Sequence, residues 1–85
     1  SKNLYQMGDG YLDKGYYYLH PDILRTKIVE LAELDSLSQN RLTRILDENG
    51  FLSYPDGKAE KTVKKGNIRF YKIPVYKIDS LQEDL

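Results

Sequence analysis

The chain has no cysteine. That excludes a disulfide framework, a thiol nucleophile and a cysteine-ligated zinc. With one histidine in 85 residues, a conventional zinc site lacks ligands, so neither a metal nor a cofactor is expected. Apolar runs fall well short of the ~20 residues that a membrane span needs. A basic-then-apolar leader is also missing, and a cytoplasmic location is the expectation. No glycine-rich loop has phosphate-cradling spacing, and no nucleophile elbow appears. Asp47-Glu48 is the one adjacent acid pair ahead of the C-terminal tail, and neighbours on a helix point in different directions. No catalytic residue and no complete active site are therefore expected, and the chain is read as a non-enzyme.

What is present is a soluble, globular composition, 31% charged and 40% hydrophobic. Eighty-five residues suffice for one small core and not for two, so residues 1–85 are read as a single domain. Its ordered core spans about residues 4–78, and 79–85 form a polar tail. The first residue is Ser rather than Met, which sets the expectation of a piece of a longer protein. Formal charge is zero, yet its distribution is uneven. Residues 1–57 carry a net of −3, residues 58–77 a net of +6 and residues 78–85 a net of −3. A cationic segment between two anionic ones fits a polyanion partner. It also fits a strand pair that uses lysine to block edge-to-edge aggregation.

Along the chain, aromatic strand formers flank Asp13-Lys14-Gly15, which reads as a short hairpin turn with Gly15 at positive φ. Leu4-Tyr5-Gln6-Met7 reads as a further strand. Five of the eight tyrosines precede residue 19, and such a cluster is expected to pack half-buried on a sheet. His20-Pro21-Asp22 opens a helix, because proline at the first turn gives up no bond and Asp22 suits the positive end of the dipole. Its expected inner face is Leu24, Ile28, Leu31 and Leu34. Asp35-Ser36-Leu37-Ser38 breaks it and offers two N-caps. A second helix is expected from Gln39 to Asn49, with Leu42, Ile45 and Leu46 inside, Asn40, Arg41, Thr43, Arg44 and Asp47 outside, and Gly50 as terminator. Phe51 to Tyr54 reads as a short strand and Pro55-Asp56-Gly57 as a turn. Lys61–Lys65 and Ile68–Ile73 read as a hairpin about Gly66-Asn67. In its second strand Ile68 and Phe70 face inward, while Arg69 and Tyr71 face solvent. Val75 to Ile78 is expected to continue that strand.

The order of helix, turn, helix and basic hairpin predicts an α+β fold of winged helix-turn-helix type. It would comprise an N-terminal Tyr-rich β-hairpin, two helices and a C-terminal basic β-hairpin as the wing. In such a fold the second helix reads the major groove. Gln39, Asn40, Arg41, Thr43 and Arg44 carry the donors and acceptors that base edges and phosphates take. Lys58, Lys61, Lys64, Lys65, Arg69, Tyr71 and Lys72 would lie along the backbone. Asp47 and Glu48, near the same face, would oppose a phosphate. A stand-alone regulator would also need a dimerisation element, and no long extra helix supplies one.

Three strings carry a family resemblance: Gly15-Tyr16-Tyr17-Tyr18-Leu19-His20-Pro21, Asn40 through Leu52, and Lys61-Thr62-Val63-Lys64-Lys65 with Ile68-Arg69-Phe70-Tyr71-Lys72-Ile73. Together they resemble the small winged-helix-like domain that closes primase-helicase-type replication proteins of phages, plasmids and genomic islands, in which an AAA+ ATPase core comes first. The resemblance spans roughly residues 10–78. The family's ATP-binding motifs are not in this sequence, so ATPase or helicase activity is not implied for the chain. An accessory role is: binding DNA, single- or double-stranded, for the attached helicase, through Lys61, Lys64, Lys65, Arg69 and Tyr71. The other reading is a protein-interaction or oligomerisation module of the same machinery, docking the ATPase core, a primase or a polymerase through the Tyr-rich strands.

Overall fold

A computed structural model describes residues 10–55, 57 and 60–83. The expected strand at Leu4–Met7 and the site residue Lys58 lie outside them. The elements follow in the order β1 (Gly10–Asp13), β2 (Tyr16–Leu19), α1 (Pro21–Leu31), α2 (Gln39–Glu48), β3 (Val63–Lys65), β4 (Ile68–Pro74) and α3 (Val75–Glu83). The fold is α+β, with a four-stranded antiparallel sheet in the order β1-β2-β4-β3.

Local sequence accounts for most of these boundaries. Lys14 (φ 50) and Gly15 (φ 85) form the two-residue β1–β2 turn, and positive φ at both central positions matches the right-handed twist of the strands. α1 begins at Pro21 with His20 as its N-cap. α2 is capped by the Ser38 hydroxyl, which accepts from the Arg41 N–H at 3.1 Å. Both helices end in the same closure. In α2 the N–H groups of Gly50 and Phe51 return to Asp47 and Leu46, and Gly50 takes φ 73 without a Cβ clash. In α1 the N–H groups of Glu33 and Leu34 return to Glu30 and Val29. There the left-handed position is held by Glu33 at φ 54, a residue that bears the strain a glycine avoids.

Several expectations are corrected. Phe51–Tyr54 is not a strand: a single ladder-like bond, Ser53 N–H to the Lys72 carbonyl at 2.8 Å, ties it to β4. Val75–Glu83 is a helix and not an extension of β4 followed by a tail. Val75 and Ile78 recur at helical spacing, and Ile78 packs against the core. Leu31 is 85% exposed and Leu34 42%; Val29 packs against the core instead. Ile45, expected inside α2, is 41% exposed.

The largest correction concerns Tyr71, expected on the solvent face and found with 0% exposure. Register explains it. Tyr71 pairs with Leu19, Ile73 with Tyr17 and Lys72 with Tyr18, so alternation sends Tyr71 and Ile73 to the helix side and Phe70 and Lys72 to the other. Leu19, Leu37, Leu42, Tyr71 and Ile73 form the core between sheet and helices, joined by Leu24, Ile28, Leu46 and Ile78.

The Tyr71 hydroxyl has no water to bond and is satisfied by α2. Gln39 Nε2 donates to it at 2.8 Å and to the Pro21 carbonyl at 2.9 Å. Thr43 Oγ1 lies 2.6 Å from the same hydroxyl. The Thr43 proton goes to the Gln39 carbonyl at 2.8 Å, which leaves Tyr71 as donor to Thr43. Gln39 and Thr43 thus join α1, α2 and β4.

Two substitutions test this account. Tyr71→Phe strands a Gln39 donor in the interior and is expected to cost about 1–2 kcal/mol in urea denaturation. Glu33→Gly relieves the left-handed strain and is expected to add about 1 kcal/mol in the same measurement at low protein concentration.

Candidate functional site

Cationic side chains of the β3–β4 hairpin were expected on one open surface beside α2. The strand register divides them. Lys64 pairs with Arg69, and Lys65 with Ile68. By alternation Lys64 and Arg69 share the helix side of the sheet with Tyr71, whereas Lys65 and Lys72 lie on the opposite side with Phe70.

That opposite side is an aromatic layer. Tyr11 stacks on Tyr18 with centroids 4.9 Å apart, and Phe70 meets Tyr11 edge-on at 5.3 Å. His20 lies 4.9 Å from Phe70, which identifies it as a packing residue at the entry to α1. Lys65 Nζ sits 4.7 Å above the Tyr18 ring, and Lys72 Nζ 4.3 Å above Tyr16. The rings are thereby engaged with one another and with lysine stems, an arrangement that stabilises the sheet. Lys65 is also 3.5 Å from Asp13. Desolvation acts to lower its pKa, but Tyr11, Tyr18 and Asp13 together outweigh this and raise it.

On the helix side, Lys61 is held by α2. Its Nζ is 3.9 Å from Asp47 and 4.5 Å above the Tyr54 ring, and the Tyr54 hydroxyl donates to the same Asp47 carboxylate. Hydrogen bonding with Tyr54 first, and the Asp47 charge after it, raise the Lys61 pKa against an opposing desolvation. Asp47, expected to repel a phosphate, is therefore committed to Tyr54 and Lys61. This triad anchors the chain that enters β3 onto the C-terminal half of α2. No sequence periodicity marks it, because Tyr54 and Lys61 lie outside regular elements.

Arg69 is oriented by Thr62: Nε donates to Oγ1 at 2.7 Å and Nη2 to the carbonyl at 3.1 Å. Glu60 lies 3.9 Å from Nη2. Together with Lys64 and Pro55 these residues line a notch of about 210 Å³.

Of the twelve residues expected to contact nucleic acid, Tyr71 is in the core, and Gln39 and Thr43 bond to it. Lys61, Lys65 and Arg69 each have an acidic neighbour, and Lys72 lies over rings. Asn40, Arg41 and Arg44 of α2 and Lys64 of β3 are exposed. Their side chains have no hydrogen bond or ion pair among the described residues. The described residues also contain no group of three or more His, Cys, Asp or Glu placed to hold a metal ion, and no helix among them is long and apolar enough to cross a membrane.

Compared with family models, curated proteins and solved structures, the chain matches none of them.

The Asp47–Tyr54–Lys61 triad is testable by alkaline titration. A raised lysine pKa means the folded state holds its proton more tightly than the unfolded state. The stabilisation is complete below about pH 10.4 and fades as pH rises through the folded value. Side-chain NMR of Lys61 is expected to show a pKa above the ordinary range, falling towards it in Tyr54→Phe.

Proposed function

We propose that this chain is a winged-helix module that binds nucleic acid, with α1 and α2 as the helix-turn-helix and β3–β4 as the wing. The carrying observation is the strand order β2-β4-β3 around the α1–α2 pair. Strand β2 leads into the helices, the hairpin follows them, and β4 returns beside β2. That arrangement supports placing a ten-residue α2 and a short cationic hairpin on neighbouring parts of one surface.

The contact set is narrower than residue types alone imply. Asn40, Arg41 and Arg44 are the exposed polar side chains of α2 suited to base edges and phosphates. Lys64, with Arg69 fixed beside it by Thr62, supplies the wing's phosphate contacts. Asp47 does not oppose them, since Lys61 balances its charge. Glu48 remains exposed on the last turn of α2, so approach is favoured at the N-terminal half, as in helices that enter the major groove. The resemblance to the closing domain of mobile-element replication proteins supplies the context: an accessory DNA-binding module for an attached helicase or primase.

A second reading, protein docking, gains support from an apolar patch and not from the tyrosines. Tyr18 is buried at 5% exposure and Tyr11 stacks on it, whereas Leu31, Leu34 and Ile45 are exposed.

Fluorescence anisotropy with random single- and double-stranded DNA at two salt concentrations tests the nucleic-acid reading. Binding is expected in the micromolar range or weaker, with a log–log salt slope of about −0.9 per duplex phosphate contacted. Arg44→Glu combined with Lys64→Glu is expected to weaken binding at least tenfold and to reduce the slope by about two contacts' worth. These positions leave the Lys61–Asp47 and Lys65–Asp13 pairs intact. Salt-independent binding, or affinity unchanged in the double variant, would refute the reading.

A further inference from the structure

An 85-residue chain with 31% charged residues has little reason to leave a leucine almost fully in water at a helix position one turn on from Ile28, which lines an apolar groove. Leu31, the last residue of α1, is 85% exposed, and Leu34 and Ile45 nearby are 42% and 41% exposed. Between α1, the turn after it and α2 runs a groove of about 550 Å³. Ile28, Leu34, Leu42 and Ile45 line it, and Arg41 contributes a charge to its wall. Isolated exposed apolar residues are ordinary; a contiguous patch with an apolar recess marks a contact surface.

The patch carries both halves of an interface. Leu31 is a projecting apolar side chain, and the groove is an apolar recess. Glu30 and Glu33 flank the projection, and Arg41 stands at the recess. None of these three charges has an ion-pair partner among the described residues. A two-fold related copy would meet each feature with its complement, which is the requirement of an isologous interface.

Glu33 adds an independent observation. It holds φ 54 in the closure of α1, a conformation that glycine adopts with less strain. An acid kept in that strained position, beside an exposed leucine, points to a use for its charge.

We infer that the end of α1 and the α1–α2 groove form a homodimer interface. Leu31 of each copy enters the groove of the other, and Glu30 and Glu33 face the other copy's Arg41. The inference goes beyond the nucleic-acid reading and does not rest on it; in the dimer Arg41 is paired with acids, which leaves Asn40 and Arg44 as the α2 side chains open to nucleic acid. The surface is small, so the dimer is weak, with a Kd on the order of tens to hundreds of micromolar.

Sedimentation velocity of the 85-residue chain over a concentration series, without nucleic acid and at low salt, tests it. The expected result is a reversible monomer–dimer equilibrium. Leu31→Ser, at an exposed position that leaves the monomer folded by circular dichroism, is expected to raise Kd about tenfold or more. Glu33→Arg and Arg41→Glu are each expected to weaken the dimer, and the two together to restore it. A chain that stays monomeric throughout overturns the inference. So does a dimer indifferent to Leu31→Ser, or a charge swap that fails to restore association; either result assigns the groove to another occupant, such as an acidic amphipathic peptide.

Discussion

The buried hydroxyl of Tyr71 is the constraint on which the rest depends. A phenol with 0% exposure keeps its place only if its oxygen is bonded inside the protein. Gln39 and Thr43 supply those bonds from one turn of α2. The Gln39 amide uses its second hydrogen on the carbonyl of the first residue of α1. One network therefore fixes the rotation of α2 about its axis, its distance from β4 and its register against α1. With that rotation set, Leu42 points into the core, and Asn40, Arg41 and Arg44 point outward.

The electrostatic picture follows from the same register. A run with a net of +6 between residues 58 and 77 reads as a cationic stripe in one dimension. Period-two alternation splits it across two sheet faces, and local acids then neutralise much of what remains. Lysines on the face away from the helices have a packing role, covering Tyr16 and Tyr18. The cations left to meet a polyanion are fewer and sit toward the helix side, which narrows the surface on which a phosphate backbone would lie.

The ends of the two helices show how one backbone device serves two purposes. Both use the closure in which a left-handed residue turns the chain back and two N–H groups return to carbonyls of the last turn. In α2, Gly50 makes this closure at low cost and Phe51 packs against the core. In α1 the same geometry presents Glu33 and Leu34 to solvent beside Leu31. The difference lies in the residue after the left-handed position: Phe51 packs against the core, whereas Leu34 is 42% exposed.

Local signals determined the elements that depend on neighbours in sequence. Lys14-Gly15 and Gly66-Asn67 marked the hairpins, Pro21 and Ser38 the helix starts, Gly50 a helix end, and the absence of cysteine the lack of any covalent frame. These rest on backbone sterics and on hydrogen bonds spanning a few residues, so the sequence carries them directly. Which face of β4 is inside was not legible, because Ile68-Arg69-Phe70-Tyr71 alternates apolar with amphipathic side chains and either face offers a ring. Pairing with β2 decided it, by giving Tyr71 partners 28 and 32 residues away. The same pairing turned Thr43 and Gln39 from surface residues into anchors. Contacts between distant segments have no fixed spacing, so burial and charge pairing were settled only once the sheet and helices had packed together.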